Sequence, residues 1–280
     1  MFEKIYDKWN GLNARYRRSV SLTAEFFAFI SAILGVTGFS PDTFYSVSSY
    51  RERLVMVLCL FALMVLFIRE ILGLIYKSAV TLNIRGIPVK IKAGDLFDQE
   101  GLKIISFNEH YDTCVDEKVI ASSTLNGIYI KKYVSDLKKL ERAIKANAKE
   151  HGITKNGDGK YCFKLGHLIR FEDFLLLAFS KFDEQNRAHI SIQEYWNCLL
   201  HMWSEVRRLY GDQPVFLPLI GSGITSFDGV PQKSPEELIF WILSTLKLSG
   251  EHINQPITIV LKKEMIEKMD LYELKWRLKG

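Results

Sequence analysis

Metal-binding and disulfide patterns are missing from this 280-residue sequence. Its four cysteines, Cys59, Cys114, Cys162 and Cys198, lie far apart, form no C-x-x-C pair and have no histidine at zinc-ligand spacing. That excludes a disulfide framework and a structural zinc site and marks the cysteines as reduced, cytosolic residues. The six histidines, His110, His151, His167, His189, His201 and His252, contain no H-E-x-x-H arrangement, so a metal-dependent hydrolase has no support and no metal ligand is assigned. A basic run is also lacking: the formal charge is +5, but the basic residues are scattered among acidic ones, which argues against a nucleic-acid partner. With 48% of residues apolar, the chain can form one core plus an extra element, but hardly two catalytic domains.

The extra element stands at the N-terminus. From Val20 to Phe39 the sequence holds one charge, Glu25, and a stronger apolar run begins at Leu54 and continues past Arg69 and Glu70 to Tyr76. Each is about the roughly 20 residues needed to cross a bilayer, which predicts two transmembrane helices within 19–76, at about 19–39 and 54–76. A cleaved signal peptide fits poorly, because a polar and aromatic segment precedes the first run and a second run follows directly. Lys4, Lys8, Arg15, Arg17 and Arg18 precede the first span and Lys77 and Arg85 follow the second. The segment 1–18 and the region 77–280 are therefore expected in the cytoplasm. An antiparallel pair would bring Glu25 and Arg69 to similar depth, where they either pair or snorkel separately to the headgroups. Ala24, Ala28 and Ala32, with Ser31 and Gly35, recur four apart, as in close helix packing within a hairpin or between copies of the chain.

Beyond Tyr76 short β-type runs appear, AVTLNIR and PVKIKAG around Arg85-Gly86, then KIISFN at 103–108. A helix with Val134, Leu137, Leu140, Ile144 and Ala148 on one face follows and stops near Gly152. Strands are expected at 161–171, 174–182, 215–220 and from Ile257, with 174–182 central because it is almost wholly apolar. Helices are expected from Ser191 to Tyr210, starting with Ser191-x-x-Glu194, from Ser234 to Leu248, and from about Glu264. Alternating strands and helices predict a three-layer α/β domain whose sheet binds ligands at its strand carboxyl ends.

Two loops stand at such ends. One is Ala93-Gly94-Asp95-Leu96-Phe97, and the other runs from Pro218 through Gly221-Ser222-Gly223-Ile224-Thr225 to Phe227. The second lets backbone N–H groups approach phosphate oxygens. It has no Walker lysine, and Ser226 stands where a dinucleotide fingerprint would need its third glycine. No nucleophile–base pair stands out, so no catalytic residue is assigned and binding is favoured over turnover.

Gly94-Asp95-Leu96-Phe97 resembles the Gly-Asp-Ile-x signature of macro domains, Phe107-Asn108 the strand end before their first ligand loop, and Pro218 to Phe227 their second phosphate loop. The order of elements from about residue 79 is similar too, and with two apolar helices in front the chain resembles the membrane effectors of type II Thoeris antiphage systems. The resemblance implies a mixed sheet between helical layers and a cytoplasmic domain, anchored in the bacterial inner membrane, that senses an ADP-ribose derivative made by a partner TIR protein. An amino-acid-linked form such as histidine-ADP-ribose is included. Association of copies and membrane disruption would follow, ending in abortive infection. It implies that Asp95 binds the adenine amino group with Leu96 or Phe97 against the base. Gly221, Ser222, Gly223, Ile224 and Thr225 would wrap the diphosphate, and Asn108 would sit near the distal ribose. The triple glycine of many first loops is replaced by Asn108-Glu109-His110-Tyr111-Asp112. Glu109, Asp112 and Asp116 either recognise a substituent on that ribose or form a solvated acidic loop. The alternative function is an anchored hydrolase of ADP-ribosyl linkages or an ADP-ribose phosphate ester.

Overall fold

The computed structural model describes residues 14–37, 50–75, 78–117, 120–183 and 187–279. In chain order its helices are α1 (Ala14–Thr37), α2 (Tyr50–Ile75), α3 (Leu125–Lys132), α4 (Leu137–Glu150), α5 (Ile192–Leu209), α6 (Pro235–Ser249), α7 (Lys263–Ile266) and α8 (Leu271–Lys279). Its strands are β1 (Ala79–Ile84), β2 (Ile87–Ala93), β3 (Leu102–Asn108), β4 (Leu168–Phe171), β5 (Phe174–Phe182), β6 (Ala188–Ile190), β7 (Val215–Pro218), β8 (Ser226–Phe227) and β9 (Ile257–Leu261). The chain divides into two compact units, Met1–Val80 with Asp270–Gly280, and Thr81–Met269. The first boundary between them falls after Val80, and the last helix groups with the N-terminal unit.

In the first unit α1 packs on α2, with the rings of Phe27 and Phe61 5.6 Å apart. Thr23, one turn before Phe27, is fully buried and returns its hydroxyl to the Ser19 carbonyl at 2.8 Å, which removes the cost of burying a free donor. Ala24, Ala28 and Ala32 lie on exposed parts of α1, beside exposed Phe26, Phe29 and Ile33, so they do not form the seam with α2. Among the described residues one stretch, Val55–Ile75, is long and apolar enough to cross a membrane. The other expected span, 19–39, ends outside the described residues, as do most of 1–18 and of the connecting loop. The expected pair of spans is therefore reduced to one candidate. The Glu25–Arg69 pair is not formed: Glu25 accepts from Ser21 at 2.9 Å and faces Arg18 at 3.5 Å, while Arg69 binds Glu70 at 2.8 Å. Neighbours on the same helix reach each carboxylate without ordering a partner from the other helix.

The second unit is built on a mixed sheet, ordered β1-β2-β9-β7-β3-β5-β6-β8 with β4 beside β5. Arg85 and Gly86, both at positive φ (52° and 90°), make the two-residue turn between β1 and β2 that suits a twisted hairpin. β2, β9, β7, β3 and β5 are mutually parallel, and β4 and β6 are antiparallel to β5. β5 is flanked on both sides and its Leu175, Leu176, Leu177 and Ala178 are fully buried, as its apolar run predicts. Alternate residues face opposite layers. Ile105, Phe107, Leu176 and Ala178 join Tyr129, Leu140 and Ile144 of α3 and α4 in one core. On the other face Phe179 meets Tyr195 of α5 at 5.9 Å, and Trp203 of α5 donates to Thr245 of α6 at 3.1 Å.

Local chemistry explains where the elements differ from expectation. The strand expected at 161–171 is ordered only from Leu168, because Gly166 turns the chain at φ 91°. β7 ends at Pro218, which has no N–H for a further ladder bond. The segment around Ser122 to Gly127 starts α3, with Thr124 capping the Gly127 N–H. The final helix is two, separated at Asp270, which caps Tyr272 and Glu273 of α8.

α5 begins as Ser191-x-x-Glu194 predicts, with both bonds of a capping box present. Glu194 also binds Lys181 of β5 at 2.5 Å, and that bond, with those from Ser191, lowers its pKa to about 2. The ordinary value is 4.5, so the pair stabilises the fold above about pH 4.5 and that contribution fades as pH falls toward 2. Because both side chains are about a third exposed, Glu194→Gln should cost only roughly 1 kcal/mol at pH 7. Urea melts at pH 7 and pH 3 should show the difference between variant and parent shrinking at the lower pH.

Candidate functional site

Because β2, β9, β7 and β3 run parallel as neighbours, the chain leaves all four at one edge of the sheet. Neighbouring strands are about 4.8 Å apart, so the loops after β2 and β3 are separated by roughly 15 Å, with the loop after β7 between them. The two loops singled out in the sequence and the loop beginning at Asn108 therefore share one edge.

At the end of β2 the Gly94 N–H donates to the Leu261 carbonyl of β9 at 3.0 Å. Exposed Asp95 accepts the Phe97 N–H on Oδ1 at 2.9 Å, while its carbonyl accepts from Gln99. This Asx turn fixes the carboxylate and leaves its other oxygen outside the turn. Leu96 points inward, 4% exposed in the core of the α3 and α4 layer. Phe97 lies flat on Tyr133, centroids 4.4 Å apart and planes 6° from parallel.

After β7 the loop is braced from below. Tyr195 of α5 donates to the Ile220 carbonyl at 2.8 Å, and Gln232 donates to the Gly221 carbonyl at 2.8 Å. Ser222 folds back, its N–H and hydroxyl both directed to the Leu219 carbonyl. The two glycines differ in origin. Gly221 has φ 88°, and a Cβ there would stand 3.1 Å from Tyr195 and 3.2 Å from Phe227, so the fold itself requires glycine. A Cβ at Gly223 would meet nothing within 4 Å. Ile224 is 72% exposed and Thr225 is buried. The N–H groups of Gly223, Ile224 and Thr225 have no backbone acceptor among the described residues, as a loop that presents donors to an anion would have.

The loop after β3 is closed on itself. Asn108 is buried, its Nδ2 donating to Asp112 at 2.8 Å and its Oδ1 accepting the N–H groups of Asp112 and His110. Asp112 pairs with Lys160 at 2.9 Å. Glu109 receives the Cys162 thiol at 3.3 Å and faces His110 at 3.9 Å. Partial burial, then the Glu109 carboxylate, pushes the Cys162 pKa up, so the thiol stays protonated rather than becoming a nucleophile. Both carboxylates are only 17% exposed, which corrects the picture of a solvated acidic loop for Glu109 and Asp112. Tyr111, at φ 51°, sends its ring into the core and its hydroxyl to the carbonyls of His167 and Leu176, at 2.8 and 3.2 Å.

Tyr195 and Gln232 were not visible as site residues, because no motif marks them; Tyr111 lies in the Asn108 loop named from the sequence, but its core-facing ring was not visible there because its partners are distant in sequence. Lys262, where the chain leaves β9 at the same edge, lines a cavity of about 430 Å³ with Pro235, Glu236, Glu264, Met265, Lys268 and Met269. None of the residues singled out in the sequence lines it. Among the described residues no group of three or more His, Cys, Asp or Glu is placed to hold a metal ion.

A three-layer domain with a mixed sheet, an Asp-bearing turn and a glycine-serine loop at one strand edge is a macro-type domain. A family model described as the macro domain of Thoeris protein ThsA matches residues 89–262. The chain is also 39% identical over 241 residues to the Thoeris protein ThsA of Bacillus amyloliquefaciens (strain Y2), an alignment covering 80% of each chain. The chain belongs to the ThsA family of Thoeris proteins. Among solved structures it is similar to the Oceanobacillus iheyensis macrodomain with ADP, at TM-score 0.47 and 13% identity over 72% of this chain and 97% of that one. The same macrodomain with MES bound gives TM-score 0.46 and 13% identity over 72% and 98%.

The two loop glycines can be separated experimentally. Gly221→Ala should destabilise the domain by about 1–3 kcal/mol, from a strained φ and the Tyr195 and Phe227 rings. Gly223→Ala should leave stability within about 0.5 kcal/mol of the parent. Denaturant titration of both variants checks this, and equal losses would contradict the assignment.

Proposed function

We propose that this chain is a membrane-anchored sensor of antiphage defence whose macro domain binds an ADP-ribose-type nucleotide made by a TIR-domain partner. The observation that carries the reading is the order of the loops along the strand edge. The Asp95 turn, the Gly221–Thr225 loop and the Asn108 loop follow one another in the order adenine, diphosphate and distal ribose take along ADP-ribose. The Asp95 carboxylate accepts from the adenine amino group, and the N–H groups of Gly223, Ile224 and Thr225 donate to diphosphate oxygens. Leu96 is turned into the core, which leaves Phe97 as the side chain of that pair nearer the base. Asn108 shapes the wall beside the distal ribose through Glu109 and Asp112. A substituent on that ribose meets carboxylates that are already partnered, so recognition there requires exchange of Lys160 or Cys162 for the ligand.

Membrane anchorage is supported by surface chemistry. Exposed Phe26, Phe29 and Ile33 on α1, and Leu58, Leu63 and Phe67 on α2, form an apolar exterior that water does not favour. Both helices then cross the bacterial inner membrane, with the macro domain in the cytoplasm. Ligand binding promotes association between copies, and the helix pairs rearrange and breach the membrane. The shift is limited by how much more tightly the ligand binds the active state than the resting one.

Calorimetry of the full-length chain in detergent micelles, titrated with ADP-ribose and amino-acid-linked ADP-ribose and followed by product analysis, tests the reading. The expected result is binding with the ligand recovered intact, weakened tenfold or more by Asp95→Ala without loss of fold, since one charge-assisted hydrogen bond is worth about 1.5–3 kcal/mol. Ligand consumed during the titration would make the chain an anchored hydrolase, and no heat with any of these ligands would refute nucleotide sensing.

A further inference from the structure

Behind the Asn108 loop lies a polar cluster that nucleotide binding leaves untouched. Tyr111 holds φ 51°, a conformation that strains any residue with a side chain and persists only where its surroundings enforce it. Two restraints enforce it here. The ring is buried edge-on against Phe163 at 4.8 Å. The hydroxyl donates to the carbonyls of His167 and Leu176, at 2.8 and 3.2 Å, and accepts the Ala178 N–H at 3.2 Å. Buried His167 is fixed in turn from both helical layers. Its Nε2 lies 2.7 Å from Asn147 Oδ1 of α4, and its Nδ1 3.4 Å from Glu205 Oε2 of α5. The same carboxylate accepts from Arg208 at 2.7 Å and from the Leu168 N–H at 3.4 Å. On its outer side the loop is held by less. The Lys160 partner of Asp112 is 48% exposed, and the bond to Glu109 comes from a thiol, a weak donor. An exposed ion pair contributes little, whereas buried groups lose their full hydrogen bonding when parted. A ligand that displaces Lys160 or Cys162 therefore meets its main resistance from inside, at Tyr111.

We propose that Tyr111, seated on His167, sets the selectivity of the far end of the site by holding the Asn108 loop shut against ligands that have to open it. The inference rests on the nucleotide reading given above. On that reading ADP reaches only the Asp95 and Gly221 loops, whereas histidine-ADP-ribose extends to the third. The affinity of the longer ligand is lowered by the fraction of time the loop is closed, and that of ADP is not. Tyr111 is thus a positioning residue, acting through the loop rather than on the ligand.

Calorimetry of the full-length chain in detergent micelles compares ADP with histidine-ADP-ribose, for the parent and for Tyr111→Phe, which keeps the ring and removes the hydroxyl. Affinity for histidine-ADP-ribose should rise roughly threefold or more relative to that for ADP, the effect of losing one neutral hydrogen bond from the closed loop. Affinity for ADP should be unchanged. Equal changes with both ligands, no change with either, or a relative fall for histidine-ADP-ribose overturns the inference, because a merely structural loss acts on both ligands alike. In each of those cases binding by the parent leaves the nucleotide reading standing. No binding of either ligand by the parent removes that reading and the inference with it. Where Tyr111→Phe unfolds at the working temperature, Asn147→Ala decides, since it takes away the α4 side of the His167 seat from a half-buried helical position. A smaller shift in the same direction is expected there, and its absence overturns the inference.

Discussion

The parallel register of β2, β9, β7 and β3 is the constraint on which the candidate site depends. Ile91 pairs with Ile259, Leu217 with Ile259, and Lys103 with Phe216, and that alignment brings four chain exits to one edge. The apolar side chains that enforce it are buried on both faces of the sheet, and a shift by one residue would exchange the faces of every side chain in the strand. The loops themselves are short and polar and could not choose this arrangement alone. Their positions are inherited from the strands.

On that scaffold, each loop is fixed by a different device. The Asp95 turn is local, closed by its own side chain on the Phe97 N–H. The Gly221 loop is supported from beneath by Tyr195 and Phe227 and from the side by Gln232. The Asn108 loop is a small polar cluster around an asparagine whose carbonyl oxygen and one amide donor are already spent within the loop. Its Tyr111 hydroxyl both donates to the carbonyls of His167 and Leu176 and accepts the Ala178 N–H at 3.2 Å, so the loop cannot move without disturbing β5. The first two loops leave acceptor and donor groups facing outward, whereas the third has closed its own bonds. A ligand reaching all three would meet open groups at the Asp95 and Gly221 loops and a closed hydrogen-bond network at the Asn108 loop.

Much of this was legible from residue patterns. The capping box at Ser191, the helix start at Ser234, the apolar run of β5 and the β1–β2 turn all have local causes, and all formed as expected. The short motifs around Asp95 and Gly221 were visible because backbone freedom and hydrogen-bonding side chains leave a mark within five or six residues. The departures have mixed causes. Glu25 and Arg69 found partners within one turn on their own helices, whereas Leu96 was drawn into the core and Glu109 and Asp112 were covered by Cys162 and Lys160 from a segment some fifty residues away.

The sequence by itself determined the classes of structure: an apolar N-terminal helix pair, an α/β domain, and a glycine-serine loop following a buried strand. Periodicity, caps and turn residues act over one or two turns of chain, so their effect can be read without knowing the neighbours. Only the tertiary structure decided that α8 returns to the N-terminal unit, that Tyr111 ties its own loop to His167 and Leu176 while Tyr195 braces a loop far from it in sequence, and that Gly221 is required by the fold while Gly223 is not. Each of those depends on which surfaces meet in space, and burial is a property of the packed chain rather than of any residue in it.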